Sequence, residues 1–137
     1  QLQEQAIRTG RVVTATGRQF DFPGCFRNSQ GNASAKTQIV NYPVQSVATA
    51  EIVPLGVILL CRRIKELELR SCVINTVHDS VLIDTHPDEI DVIKDIGPAC
   101  LLEAQTEAHI RFGLDQFIPL EVEMSKGKNW MEQEDFT

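Results

Sequence analysis

The sequence predicts an α+β domain in which a small antiparallel sheet carries helices packed on one face. Three observations predict it. Residues 72–75 and 81–84 are short apolar runs on either side of Thr76-Val77-His78-Asp79-Ser80; they are rich in Val, Ile and Leu and too short for a stable helix, so both read as strands. Between residues 45 and 69, Ala48, Ile52, Leu55 and Leu59 recur at helical spacing, as do Leu60, Ile64 and Leu67. Near the end, Leu120, Val122 and Met124 alternate with Glu121 and Glu123, the pattern of a half-buried strand.

Taken in order, residues 1–9 read as the end of a helix. Residues 11–15 and 18–22 read as a hairpin turning at Thr16-Gly17, where glycine supplies the turn. Residues 23–35 are a loop rich in Gly, Ser and Asn. The helix over 45–69 contains Pro54, which removes the bond to the Ala50 carbonyl and should kink it there. After the strand pair, Pro87 opens a helix whose first turn holds Asp88 and Glu89, acids placed favourably at the positive end of the dipole. Gly97-Pro98 should break that helix into pieces near 88–96 and 99–112. A strand over 118–124 closes the fold.

The 137 residues suit one domain with enough apolar content for a real core. The chain begins at Gln1 without a Met, as expected of an excised fragment, a processed chain or missing leading residues. No apolar stretch is read as long enough to span a membrane, and no secretory signal is visible. Cys25, Cys61, Cys72 and Cys100 are widely spaced without a C-x-x-C, which argues against zinc and for free thiols in a cytoplasm. The net charge of −6 argues against a free-standing nucleic-acid binder. The charge is uneven: residues 1–50 hold five basic residues against Glu4 and Asp21, whereas 51–137 hold eight against seventeen acids. The N-terminal part could therefore touch phosphate.

A His-Asp pair at a tight turn keeps an ionised acid clear of the sheet, where it can reach a metal or a phosphate. Alone, the five residues fit a solvated turn better, because Asp and Ser are ordinary turn residues. The wider chain shifts that balance. Thr14-Ala15-Thr16-Gly17-Arg18-Gln19-Phe20, Asn41-Tyr42-Pro43-Val44-Gln45, Val77-His78-Asp79, and Leu120-Glu121-Val122 with Gly127-Lys128-Asn129-Trp130 follow one another in the order seen in the C-terminal part of family A DNA polymerases. Val77-His78-Asp79 resembles the family's V-H-D-E, Asn41 to Gln45 its N-x-P-x-Q, and Gly127 to Trp130 its G-x-x-W. The resemblance covers residues 8–131. It departs at Ser80, where the family has Glu, and at Glu51, which ends a segment usually written Q-G-T-A-A-D. Residues 87–119 are longer than in the bacterial enzymes. These departures point to a phage-like branch.

The resemblance implies a polymerase palm, a two-Mg²⁺ mechanism, and partners in primer-template DNA and dNTP. Asp79 then stands as a catalytic metal ligand. His78 lies against the primer end, where it can donate to minor-groove acceptors. Asn41 and Gln45 contact the minor groove through amides that both donate and accept. Either could instead cap the helix that follows, and His78 could simply hold its hairpin. Arg18 and Arg11 are candidate phosphate contacts. The family's first acidic motif and its nucleotide-binding helix are not in these 137 residues. The expectation is therefore a C-terminal part of a longer or split DNA polymerase, inactive alone and completed by the missing fingers and remaining palm. Its unpaired sheet edge and apolar helix face should favour self-association. A non-catalytic nucleic-acid-binding or assembly module derived from a polymerase is the alternative.

Overall fold

A computed structural model describes residues 1–113 and 120–136. In chain order it contains α1 (Leu2–Thr9), β1 (Arg11–Val13), β2 (Gln19–Asp21), α2 (Lys36–Ser46), a π-helical turn (Val47–Ile52), α3 (Val53–Glu66), β3 (Cys72–Val77), β4 (Ser80–Asp84), a 3₁₀ turn (Pro87–Glu89), α4 (Ile90–Phe112), β5 (Ser125–Asn129) and β6 (Glu132–Asp135). The α+β class is as expected, but the antiparallel pairing is divided among three separate hairpins, β1–β2, β3–β4 and β5–β6.

Two apolar cores sit along one helical rod. The first gathers Ala6, Val12, Phe22, Ala33 and Ile39, joining α1, the β1–β2 hairpin, the following loop and the start of α2. The second gathers Leu60, Ile64, Ile93 and Cys100, with Val73 and Ile83 packed against it, and so seats the β3–β4 hairpin on α3 and α4. Gly56 makes the α3–α4 approach possible: a Cβ there would stand 2.6 Å from Leu101 Cδ2 and 3.2 Å from Leu101 Cα.

The rod departs from the helix expected over residues 45–69. It starts nine residues earlier, at Lys36, and runs through Pro43. Pro43 gives up one backbone bond, but Ile39, Pro43 and Ser46 form a buried face that packing holds helical. Its end is set by a Schellman closure. Glu68 adopts φ 54°, its N–H reaches the Lys65 carbonyl, and the Leu69 N–H reaches Ile64. Pro54 produces a widened turn in place of a sharp break: the Val53 N–H reaches back five residues to Ala48.

Two further expectations are corrected. Gly97-Pro98 does not split the last helix, since α4 is continuous from Ile90 to Phe112. Gly97 has no Cβ to press on the Pro98 ring, and α4 is held along its length by α3. Within the expected strand at 118–124, residues 118 and 119 lie outside the described residues, and 120–124 are unpaired. The alternation of burial is real, with Leu120, Val122 and Met124 half-buried and both glutamates exposed, but no strand lies beside them. The ladder forms just downstream, in β5–β6. Gly127 allows that pairing, because a Cβ there would fall 1.9 Å from the Glu132 carbonyl oxygen.

Length also corrects the membrane reading. Lys36–Glu66 forms one helix that by length and composition alone could cross a bilayer. Both of its ends are built into the two cores, and a buried, ion-paired Glu51 sits midway.

Candidate functional site

The β3–β4 hairpin has the tightest possible tip. Val77 pairs with Ser80, leaving His78 and Asp79 as the two turn residues. His78 takes φ 55°, a left-handed conformation uncommon for a residue with a Cβ. Both side chains are exposed. A register shift between Val73 and Asn75 leaves Ile74 as the extra residue of a bulge, which increases the local twist.

The base of this hairpin is locked by Glu89, whose role is absent from any periodicity. Its buried carboxylate accepts from the Arg70 and Ser71 amides, both at 2.9 Å, and from Ser71 Oγ at 2.6 Å. Ser71 Oγ in turn accepts from the His86 N–H at 3.0 Å. One carboxylate thus joins the residues entering β3 to those leaving β4. The Arg70 backbone bond, followed by the Ser71 hydroxyl, holds the Glu89 carboxyl at about 2, below its ordinary 4.5. His86 Nδ1 accepts from the Asp88 N–H and caps the 3₁₀ turn.

Asn41 and Gln45 lie inside α2, which begins at Lys36 with Ala35 in the cap position, so neither caps the helix. They are one turn apart and exposed, on the face opposite buried Pro43. Backbone order alone therefore presents two amides side by side to solvent. Arg18 follows the β1–β2 turn, and its Nε donates to Glu51 Oε1 at 3.0 Å. Thr16 Oγ1 donates to the same oxygen at 3.1 Å. Arg11 Nε pairs with Asp21 across β1–β2 at 2.8 Å, both side chains being well exposed. The structure thus ties the Arg18 turn to the helix carrying Asn41 and Gln45. No hydrogen bond or ion pair among the described residues joins either to His78 or Asp79. No cluster of three or more His, Cys, Asp or Glu side chains that could hold a metal occurs among the described residues. Asp79 is one exposed carboxylate and fits a metal only as a shared ligand.

Glu89, Glu51 and the close-contact glycines Gly56 and Gly127 were not singled out as structural by sequence reasoning. For Glu51 a signal existed: it stands at the acidic end of the Q-G-T-A-A-D-like segment.

The model of DNA polymerase family A matches residues 1–132. The chain belongs to this family. It is 32% identical over 126 residues to a DNA polymerase I of Caldicellulosiruptor bescii, covering 90% of the chain and 13% of that protein. It is 26% identical over 128 residues to the DNA polymerase I of Bacillus subtilis, covering 93% of the chain and 13% of that protein. A DNA polymerase of Bacillus phage SP01 is 30% identical over 121 residues, covering 87% of the chain and 13% of the relative. Bacterial and phage relatives thus match at comparable identity, which does not separate a phage-like branch. Among solved structures, the POL domain of Pol1 from M. smegmatis, in complex with DNA primer-template and dNTP, superposes with a TM-score of 0.63. It is 27% identical, over 75% of this chain and 18% of that one. The chain therefore spans about an eighth of the length of its curated relatives.

Proposed function

We propose that these residues are the C-terminal palm portion of a template-directed DNA polymerase, a nucleotidyltransferase acting in DNA replication or repair. The observation that carries this reading is the exposed His78-Asp79 turn on a hairpin locked at its base by Glu89. Such a turn holds a carboxylate at a set height above the sheet without burying it. Asp79 is the metal ligand, and the second carboxylate and the nucleotide-binding groups come from the rest of the polymerase. Bound Mg²⁺ would lower the barrier by neutralising charge between the attacking and leaving oxygens. The chain's own residues do the positioning: His78 donates toward the primer end, and Asn41 and Gln45 offer paired amides to the minor groove. Such contacts sense pairing geometry more than sequence, since the A N3 and T O2 acceptors occur in either A·T orientation. Ser80, neutral where the family has Glu, is auxiliary. Primer-template DNA and dNTP are the substrates, and the remaining polymerase segments are the partner that covers exposed Val44, Ile58 and Ile74.

The test is primer extension by the whole polymerase carrying Asp79→Asn or Ser80→Ala. Asp79→Asn should lower kcat by orders of magnitude with primer-template affinity nearly unchanged, because a metal ligand acts on the transition state. Ser80→Ala should cost far less. Equal damage from both, or a mild Asp79→Asn, would remove Asp79 from the metal site.

A further inference from the structure

Glu51 is a buried acid that the polymerase reading leaves without a task. It lies in the π-helical turn between α2 and α3 and is 7% exposed. Its Oε1 takes both Thr16 Oγ1 and Arg18 Nε. Its Oε2 is buried with no hydrogen-bond partner. Arg18 is the cation paired with this carboxylate among the described residues. A buried charge with one cationic partner holds that partner firmly, because releasing it leaves the charge uncompensated. Yet the Arg18 side chain is 47% exposed. The guanidinium has five N–H donors in a rigid plane, and Glu51 engages only the Nε edge. The terminal nitrogens are thereby oriented by an anchor that does not consume them. The widened turn matters to this geometry, since π-helical turns commonly mark functional sites.

We propose that Glu51 is a positioning residue for DNA: it fixes the β1–β2 turn and the Arg18 guanidinium onto the helix presenting Asn41 and Gln45. One backbone phosphate and the minor-groove face of the primer-template are then gripped by a single rigid unit. The inference rests on the polymerase reading and adds to it a residue that touches no substrate. Coulomb attraction favours the arrangement only if Arg18 is shared. A planar fork can bridge a carboxylate and a phosphate at two edges, whereas a lysine ammonium offers a single point charge.

The experiment measures primer-template affinity of the whole polymerase against salt concentration, with melting temperature and single-turnover extension recorded for each variant. Arg18→Ala should lower the salt slope by about one phosphate, so that raising salt from about 50 to about 200 mM costs roughly 3.5-fold less affinity than in the parent. Glu51→Gln should lower the slope to the same extent, and the double variant no further. A purely structural Glu51 would lower the melting temperature and leave the slope alone, which overturns the proposal. A steeper slope in Glu51→Gln would show that the carboxylate restrains Arg18 from phosphate and also overturns it. Arg18→Lys keeps a cation beside Glu51 and guards against a Glu51→Gln variant that does not fold. It should show the reduced slope at near-parent stability, and an unchanged slope overturns the proposal. Asp79→Asn serves as the separate control. If it abolishes turnover while the Arg18 and Glu51 variants keep the parent slope, the positioning role fails and the polymerase reading stands.

Discussion

The α3–α4 seam makes a prediction whose sign the structure decides. Gly56→Ala in a helix interior should by propensity alone stabilise the chain by about 1 kcal/mol. At this position the added Cβ would sit 2.6 Å from Leu101 Cδ2 and 3.2 Å from Leu101 Cα, with Ala104 Cβ at 3.6 Å. The leucine methyl can rotate away, but Leu101 Cα is backbone, and relieving it moves α3 from α4 by a few tenths of an ångström. Overpacking of this kind costs roughly 1–3 kcal/mol. The net expectation is destabilisation of about 1 kcal/mol, or roughly 4 °C in melting temperature for a chain of this size. Urea unfolding measures it, with the midpoint lowered and the slope unchanged. Leu101→Ala isolates the steric part, because it leaves the propensity gain at residue 56 intact. In that background Gly56→Ala should be less costly by about 1 kcal/mol, the coupling expected of residues in contact. An alanine at 56 that stabilises the parent chain, or additivity of the two substitutions, would refute the close approach of the two helices.

Other consequences follow from the hairpin anchors and the helix face. Glu89 has a folded-state pKa of about 2 against an ordinary 4.5, so its contribution is fully present above about pH 4.5 and is lost as the pH falls toward 2. Glu89→Gln should therefore be less stable than the parent at pH 7, the gap closing between pH 4.5 and 2; a gap independent of pH in urea titrations would exclude the charged anchor. Gly127→Ala forces a Cβ into the Glu132 carbonyl and should strip hydrogen-exchange protection from residues 125–135 while sparing α3 and α4. Retained protection would mean that β5–β6 tolerates a side chain at 127. In the whole polymerase, Gln45→Ala and His78→Ala should reduce discrimination against extending a mismatched primer end more than they slow correct extension. Unchanged mismatch ratios in both would leave the amide face and the turn histidine without a minor-groove role.

The sequence by itself determined the local events. Two apolar runs around a short polar join could only pair across a tight turn, so the exposed placement of His78 and Asp79 was legible from residues 72–84 alone. Gly17 marked the first hairpin for the same reason. The motif order also carried the family, because side chains that meet one substrate recur in one chain order. What the sequence could not decide were the contests between local preference and packing. Pro43, Pro54 and Gly97-Pro98 each argue against helix on their own, and each sits in helical backbone because a buried face outweighs one lost bond. Tertiary structure moved the helix start to Lys36 and so removed capping as an account of Asn41. The alternation at 120–124 recorded which side chains face inward but not whether a neighbouring strand exists, since a ladder needs a partner that periodicity cannot supply. Glu51 and Glu89 show the same limit most sharply. Each is an acid in a polar or helical context, and only the fold reveals that each is buried against donors from residues 35 and 18 positions away. A buried carboxylate is stable only where such donors converge, and that convergence is a property of the folded chain.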